Sequence, residues 1–222
     1  MPTRFETDLA GLKEKLLLMA SHAEAAVNRA IRALLKRDDE LARRTREDDG
    51  ILDRLEIEID DAAIKLLEQK TGPQDLRFIT MTMKISHDLE RVGDEATTIS
   101  RRVLDLGSEP PLNQQLDLPR MAALALGMLK ESLDAFVHRA PDKARNVIPR
   151  DEEVDALNKR LHAELAARMA EEPDTISRCL NLMVISKSLE RVADHATNIA
   201  EEVVFLYEGQ DIRHAAPKDE VD

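Results

Sequence analysis

The sequence predicts an all-α protein made of two tandem, pseudo-symmetric three-helix bundles of long amphipathic helices. Three observations lead to this prediction. The 222 residues are 43% hydrophobic and 34% charged but only 2% aromatic, and the strong helix formers Ala, Leu, Glu, Arg and Lys dominate. Apolar residues recur at alternating steps of three and four, which indicates helices packed along one face in a bundle. Finally, one phrase occurs twice, in the first and in the second half of the chain.

The first half contains three such apolar stripes. They cover residues 9–34, 52–66 and 79–106. Asp38 or Asp39 is well placed to cap the second helix, because Asp side chains accept hydrogen bonds from the first free backbone amides of a helix. Helices of about 30 residues are roughly 45 Å long, so each bundle is expected to be elongated.

The clearest linker is the segment GSEPPLNQQLD, in which Gly, Pro and small polar residues interrupt the apolar pattern. The expected division is therefore a first bundle over residues 1–108, a linker over 109–117 and a second bundle over 118–208. Residues 209–222 lack periodicity and are expected to form a loose C-terminal tail.

The repeated phrase reads DLERVGDEATTISRRV at residues 88–103 and SLERVADHATNIAEEV at residues 188–203. At an offset of 100 residues, thirteen positions of this region are identical in the two halves. In the first half they are Met83, Ile85, Ser86, Leu89, Glu90, Arg91, Val92, Asp94, Ala96, Thr97, Ile99, Val103 and Leu106. This density exceeds what a shared helical pattern produces and indicates an internal duplication of a three-helix unit.

The net charge and the cysteine content restrict the class of partner and the cellular compartment. A formal net charge of −12 argues against nucleic acid as a partner, because the phosphates would be repelled. The single cysteine, Cys179, excludes an intrachain disulfide and fits a reducing compartment. Since no stretch approaches the ~20 apolar residues that span a bilayer, the chain is expected to be cytoplasmic.

Each half also contains two pairs of acidic residues spaced four apart, one pair on its second helix and one on its third. The pairs are Asp49–Asp53 and Glu90–Asp94 in the first half, and Asp151–Asp155 and Glu190–Asp194 in the second. Residues four apart share a helix face, and each pair lies beside the apolar stripe. If the two helices pack antiparallel, four carboxylates can converge in each bundle.

Converging carboxylates need an explanation. Two like charges about 4 Å apart cost roughly 1 kcal/mol in water and about 4 kcal/mol at an effective dielectric of 20. Cations relieve such repulsion, and Mg²⁺, Mn²⁺, Ca²⁺, iron and zinc can all use oxygen ligands. The alternative is that these groups are solvated or paired within their helices, since Lys187 and Arg191 lie three residues before Glu190 and Asp194.

Other candidate groups are isolated along the sequence. His195 and Asn198 follow Asp194 and can extend a metal site, and Asn198 is included in the predicted ligand set. His162 is expected to be a surface or capping residue, and Cys179 a thiol of the core. The sequence contains no phosphate-binding loop, nucleophile elbow or E-x-x-H motif.

The segment LERVADHATNIAEEVVFLYEG resembles the PhoU family of phosphate-transport accessory proteins, and LERVGDEATTIS resembles its first-repeat counterpart. The likeness covers essentially the whole chain. It implies two three-helix bundles with paired E/D-x-x-x-D motifs, which bind multinuclear iron or zinc clusters in some members. These motifs correspond to the four acidic pairs described above. The first copy departs from the common D-H-A-x-N, because residues 94–98 read DEATT.

The resemblance further implies a cytoplasmic negative regulator of phosphate homeostasis. Such a protein couples the ATPase of a phosphate ABC transporter to a phosphate-sensing histidine kinase at the membrane face. It is not an enzyme, and a homodimer is expected. Two alternatives stay open from the residues themselves: a carboxylate-bridged metalloenzyme, either a hydrolase or an oxidase, and a metal-free structural bundle.

Overall fold

The structure is a computed structural model that describes residues 3–69, 71–112 and 116–213. Eight α-helices lie in these residues: α1 Arg4–Lys36, α2 Asp39–Glu47, α3 Gly50–Leu67, α4 Pro73–Gly107, α5 Leu118–His138, α6 Pro141–Arg145, α7 Asp151–Glu171 and α8 Ile176–Glu208. The described residues contain no β-strand, so the all-α prediction is confirmed. Parts of the predicted linker and tail, residues 113–115 and 214–222, lie outside the described residues.

The ends of α1 are fixed by local hydrogen bonds. Thr3 accepts a hydrogen bond from the Glu6 amide, and the Glu6 carboxylate accepts one from the Thr3 amide, so the two residues form a capping box. At the other end Arg37 adopts a left-handed conformation with φ 53°. Asp38 then caps α2 by accepting from the Leu41 amide at 3.0 Å, as predicted.

The second segment of each bundle was predicted as one helix, and this is wrong. In the first bundle α2 ends before Asp48, and α3 begins at Gly50. The backbone tightens between them, since the Ile51 amide bonds to the Asp48 carbonyl at 3.0 Å. A glycine favours such a break because it lowers helix stability. In the second bundle Pro149, which has no amide hydrogen, lies in a 3-10 turn before α7.

This break places one carboxylate of each acidic pair of the second segment, Asp53 and Asp151, in the first turn of a new helix. Asp49 immediately precedes α3, and Asp151 is the first residue of α7. Carboxylates in the first turn interact favourably with the positive end of the helix dipole. The break therefore positions the carboxylates where the backbone partly offsets their mutual repulsion.

The helices bury their predicted apolar stripes. Helices α1, α3 and α4 pack together in the first bundle, and α5, α7 and α8 pack together in the second. The repeated apolar residues of α4 and α8 are fully buried: Leu89, Val92 and Ile99, with Leu189, Val192 and Ile199. Within the described residues, no helix combines the length and apolarity that crossing a membrane would need.

The two bundles meet mainly along α4 and α8. Lys84 Nζ pairs with Glu202 Oε1 at 2.9 Å, and Arg191 Nη1 pairs with Glu95 Oε1 at 3.1 Å. Residue numbers rise along α4 as they fall along α8, so the two helices run antiparallel. Because α4 and α8 are equivalent helices of the duplicated unit, their antiparallel contact relates the two halves by an approximate two-fold axis.

Candidate metal centre

The second bundle brings its four predicted carboxylates together. Asp151 and Asp155 lie on α7, and Glu190 and Asp194 lie on α8. Burial, followed by the charges of Asp194, Asp155 and Glu190, raises the pKa of Asp151 to about 6. Among the described residues, Asp151 Oδ1 and Glu190 Oε2 are buried without a hydrogen-bond partner. Unpaired buried oxygens of this kind are costly and require an explanation.

The repulsion extends to Asp194. Burial raises the pKa of Asp194, and the charges of Glu190 and Asp155 add to this effect, while Lys187 and His195 oppose it. Glu190 itself is only 8% exposed. The four groups thus lie close enough for their charges to interact at the seam between α7 and α8, although within the described residues no three of them bring ligand atoms within 4.8 Å of one another.

Ion pairing within α8 accounts for part of this cluster. Lys187 Nζ lies 2.5 Å from Glu190 Oε1, so the alternative interpretation holds for one oxygen of this residue. Arg191 instead pairs with Glu95 of the first bundle at 3.1 Å and leaves Asp194 without the predicted arginine partner. Pairing along the helix therefore does not neutralise the cluster.

The first bundle repeats the arrangement in a more open form. Burial and then the charge of Asp94 raise the pKa of Glu90, with a smaller contribution from Asp53. Burial likewise raises the pKa of Asp94, Arg91 opposes this, and Asp49 and Asp53 add to it. Since Asp53 and Asp94 are exposed, this site is the more solvated of the two.

A glycine permits the close approach of α3 to α4 beside this site. A Cβ at position 93 would collide with the Leu52 side chain, so Gly93 allows Leu52 to pack directly on the α4 backbone. One turn further along, Thr97 Oγ1 donates to Asp49 Oδ1 at 2.7 Å. The hydroxyl orients this carboxylate and connects α3 to α4 through a side chain.

The structure adds two groups that were not predicted. Glu56 and His87 join Glu90, and one ligand atom of each residue lies within 4.8 Å of the others. His87 Nδ1 is 3.1 Å from Glu56 Oε1. The prediction relied on features present in both halves, and Asn158 and Lys187 occupy the corresponding positions of the second half. Glu56 lies three residues after Asp53, and His87 lies three residues before Glu90. This helical spacing was the signal that could have indicated both groups.

The remaining candidates are engaged elsewhere. The Asn198 amide donates to Asp88 Oδ1 of the first bundle at 3.2 Å, so it takes part in the contact between the bundles. The His162 ring nitrogen Nε2 lies 3.2 Å from the Met183 carbonyl oxygen. Cys179 is fully buried, in agreement with its prediction as a core thiol.

The donor sets fit hard or borderline cations. Each bundle presents four carboxylates on two neighbouring helices, and both sets contain a buried oxygen without a hydrogen-bond partner among the described residues. The rise in carboxyl pKa reflects burial first and then neighbouring negative charges, which a cation would offset. The two sites differ in that the first brings an imidazole within 4.8 Å of its carboxylate oxygens, and a ring nitrogen favours zinc or iron over magnesium or calcium.

Fold and site together define a class: a duplicated, all-helical protein with a carboxylate cluster at the same seam of each half. The PhoU domain family model matches residues 16–103 and 118–203, one copy in each half. The chain therefore belongs to the PhoU family, which confirms the resemblance seen in the sequence.

Relatives cover nearly the whole chain. A protein of Rhizobium meliloti is 38% identical over 219 residues, 98% of this chain and 92% of the relative. One of Pseudomonas aeruginosa is 37% identical over 213 residues, 95% of this chain and 88% of the relative. Both are named phosphate-specific transport system accessory protein PhoU homolog. These names are not those of enzymes, in agreement with the predicted non-enzymatic role.

Solved structures show the same fold. The crystal structure of PhoU from Pseudomonas aeruginosa superposes with a TM-score of 0.90 at 36% identity, covering 93% of this chain and 100% of that one. That of the phosphate transport system regulatory protein PhoU from Streptococcus pneumoniae gives 0.85 at 28% identity, covering 94% and 99%. The prediction of tandem helical bundles is thereby confirmed.

Proposed function

We propose that the chain is the accessory protein of a phosphate-specific transport system. It acts at the cytoplasmic face of the membrane as a negative regulator that couples the transporter's ATPase to a phosphate-sensing histidine kinase. The transport role is supported by the names of relatives that share the full length of the chain. The coupling to a kinase rests on the family resemblance.

The proposal includes a cation cluster in each bundle, iron or zinc foremost, with Mg²⁺, Mn²⁺ or Ca²⁺ compatible with the same oxygens. The ligands would be Asp49, Asp53, Glu90 and Asp94 in the first bundle, and Asp151, Asp155, Glu190 and Asp194 in the second. The observation that supports it is the set of buried carboxylate oxygens that have no hydrogen-bond partner among the described residues. Bound cations would join neighbouring helices and present positive charge on a surface of net charge −12.

The regulatory role is tested by deleting the gene and following a phosphate-starvation reporter in phosphate-replete cells. The deletion should derepress the reporter, and the intact gene should restore repression. The double substitution Glu190→Gln/Asp194→Asn should restore it incompletely, because it removes two charges of the second site. The matched control is Glu171→Gln/Asp174→Asn, which removes two exposed charges at the far end of α7 and just beyond it.

Two results would contradict the proposal. A reporter that stays repressed in the deletion strain would remove the negative-regulator role. If Glu190→Gln/Asp194→Asn loses metal but captures transporter and kinase as well as the unchanged chain does, the cations do not contribute to partner binding.

We expect His87 to give the first site its preference for zinc. Replacing His87 by Gln should weaken zinc binding at this site at least tenfold, because it removes the nitrogen ligand beside Glu56 and Glu90. Affinity for Mg²⁺, which prefers oxygen ligands, should change little. Competition titrations with a chromophoric chelator measure both affinities.

The equivalent position in the second bundle provides the reciprocal test. Lys187 places its ammonium group 2.5 Å from Glu190, where His87 of the first bundle approaches Glu90. Replacing Lys187 by His should therefore raise zinc affinity at the second site. Unchanged zinc affinities in both His87→Gln and Lys187→His would show that the imidazole is not a ligand.

A further inference from the structure

A cavity of about 480 Å³ lies where the ends of α1, α4, α5 and α8 meet, away from both acidic clusters. Its volume is typical of a ligand-binding site. Three basic residues line it, Lys13 of α1, Arg77 of α4 and Arg139 at the end of α5. Phe78 and Tyr207 contribute aromatic surface. The cavity thus combines positive charge with an apolar wall.

The basic groups of the cavity form no ion pairs within the described residues. Lys13 and Arg139 have neither a hydrogen bond nor an ion pair from their side chains there, and the Arg77 guanidinium lies over the Phe205 ring, 5.6 Å from its centroid. Two carboxylates, Glu6 and Asp75, also line the cavity, and Glu6 accepts from the N-cap of α1. Three basic groups against two carboxylates leave the cavity with a net positive charge on a protein of net charge −12, which suits an acidic ligand.

The internal duplication shows what such a site holds. Arg139 and Arg37 are counterparts: both end the first helix of a bundle in the left-handed conformation, with φ 54° and 53°. Left-handed backbone is uncommon for arginine, and its recurrence identifies a common structural position. At the offset of 100 residues that relates α4 and α8, Arg77 corresponds to Ser177 and Phe78 to Arg178.

At the end of the first bundle, the chain's own linker occupies the space between Arg37 and Arg178. Arg37 Nη2 donates to the Glu109 carbonyl oxygen, and Arg178 Nη1 donates to the Pro110 carbonyl oxygen at 3.1 Å. The Ser177 hydroxyl donates to the Glu109 carboxylate at 2.7 Å. A short acidic segment with proline thus satisfies two guanidinium groups and a hydroxyl. At the offset of 100 its counterpart is Gly209-Gln210, which has no carboxylate.

We propose that the open cavity binds an extended acidic segment of a partner protein in the same manner. A main-chain carbonyl of the partner would accept from Arg139, as the Glu109 carbonyl accepts from Arg37. A carboxylate of the partner would pair with Arg77, which stands in the place of Ser177. An apolar side chain or proline would lie on Phe78 and Tyr207. Charge-assisted hydrogen bonds supply the affinity, and the aromatic wall favours a peptide over a small anion.

The chain itself supplies the probe for a direct test. A fluorescein-labelled peptide with the sequence GSEPPL, residues 107–112, is titrated with the full chain and followed by fluorescence anisotropy. Binding should be saturable. Arg139→Gly, which keeps the left-handed backbone accessible, and Arg77→Gln should each weaken it about tenfold, the effect of losing one charge-assisted hydrogen bond. A GSQPPL peptide should lose a similar factor.

The matched control is Arg101→Gln, which removes an exposed arginine about 36 Å along α4 and should leave binding unchanged. No saturable binding up to millimolar peptide, or equal binding by the Arg77 and Arg139 variants, overturns the proposal. Displacement by inorganic phosphate at the same concentration as unlabelled peptide would assign a small anion instead. A dimer in sedimentation that Arg139→Gly dissociates, without peptide binding, would assign a second copy of the chain.

Discussion

Under the proposed metal assignment, a chelator should lower the melting temperature by about 8–16 °C relative to protein loaded with iron or zinc. A ligand at 1,000 times its dissociation constant stabilises the folded state by about 4 kcal/mol. In a protein of this size, each kcal/mol moves the melting temperature by about 2–4 °C. The carboxylates are brought together only in the folded state, so a metal would bind that state selectively. Calorimetry of chelated and reloaded protein measures the difference.

The substitution Glu190→Gln/Asp194→Asn separates metal binding from ordinary stability. The amides keep the shape of the side chains but remove two of the charges that, after burial, raise the pKa of Asp151. The metal-free variant should therefore melt higher than the metal-free unchanged protein. Its increase on metal loading should be smaller, because only the first site remains complete.

The control for this experiment is again Glu171→Gln/Asp174→Asn, which should keep the full increase. The metal assignment fails if chelation leaves the melting temperature of the unchanged protein where it was. It also fails if the second-site variant gains as much from metal as the unchanged protein gains.

In the metal-free state, the protein should become more stable as the pH falls from 7.5 to 5. Burial and the neighbouring carboxylates raise the pKa of Asp151 from 3.8 to about 6, so the folded state binds more protons than the unfolded state between these values. Stability therefore declines as the pH rises through this window. The full difference in pKa corresponds to about 3 kcal/mol, which partial exposure reduces to about 1–2 kcal/mol.

Asp151→Asn should flatten this pH dependence and raise stability at pH 7.5. Urea denaturation in chelator at a series of pH values measures the effect. The difference between the two proteins isolates Asp151 from the histidines, which titrate in both. Asp174→Asn is the exposed control and should retain the full slope. Equal slopes in the unchanged protein and in Asp151→Asn would contradict the account of the acidic cluster.

Helices and bundles could be predicted because the apolar repeat is a local property that tertiary packing then uses. The stripes at Leu89 and Leu189 are fully buried, as their spacing required. The break before α3 was missed although Gly50 was visible, since one glycine in a helical pattern is often tolerated. Before α7, Pro149 carried the corresponding signal.

The interaction between the acidic pairs could be predicted because a spacing of four defines one helix face and the duplication supplied an independent repetition. That these carboxylates hold a cation stays a prediction. Glu56 and His87 were missed because they occur in one half only. Asn198 was placed near Asp194 along α8, but the same face of α8 also meets the first bundle, where Asp88 receives the amide. Contacts between bundles depend on helix crossing, which a spacing rule does not contain.

The cavity between the ends of α1, α4, α5 and α8 could not be predicted, for a related reason. It forms where the ends of four separate helices meet, so no single segment encodes it. The kind of ligand was inferred by comparing the two repeats, because Arg37 of the first repeat donates to the Glu109 carbonyl oxygen.

The antiparallel packing of α4 on α8 makes the chain resemble a symmetric pair of half-length subunits joined covalently. A two-fold dimer of the first half alone would set Asp88 against Glu95, because Glu95 is the counterpart of His195, and like charges would meet. The fused chain places Asp88 2.8 Å from His195 instead. Tethering also replaces a bimolecular association with one at millimolar effective concentration. In the fused chain, neither half has to be complementary to itself. The acidic clusters of the two halves can therefore differ in sequence.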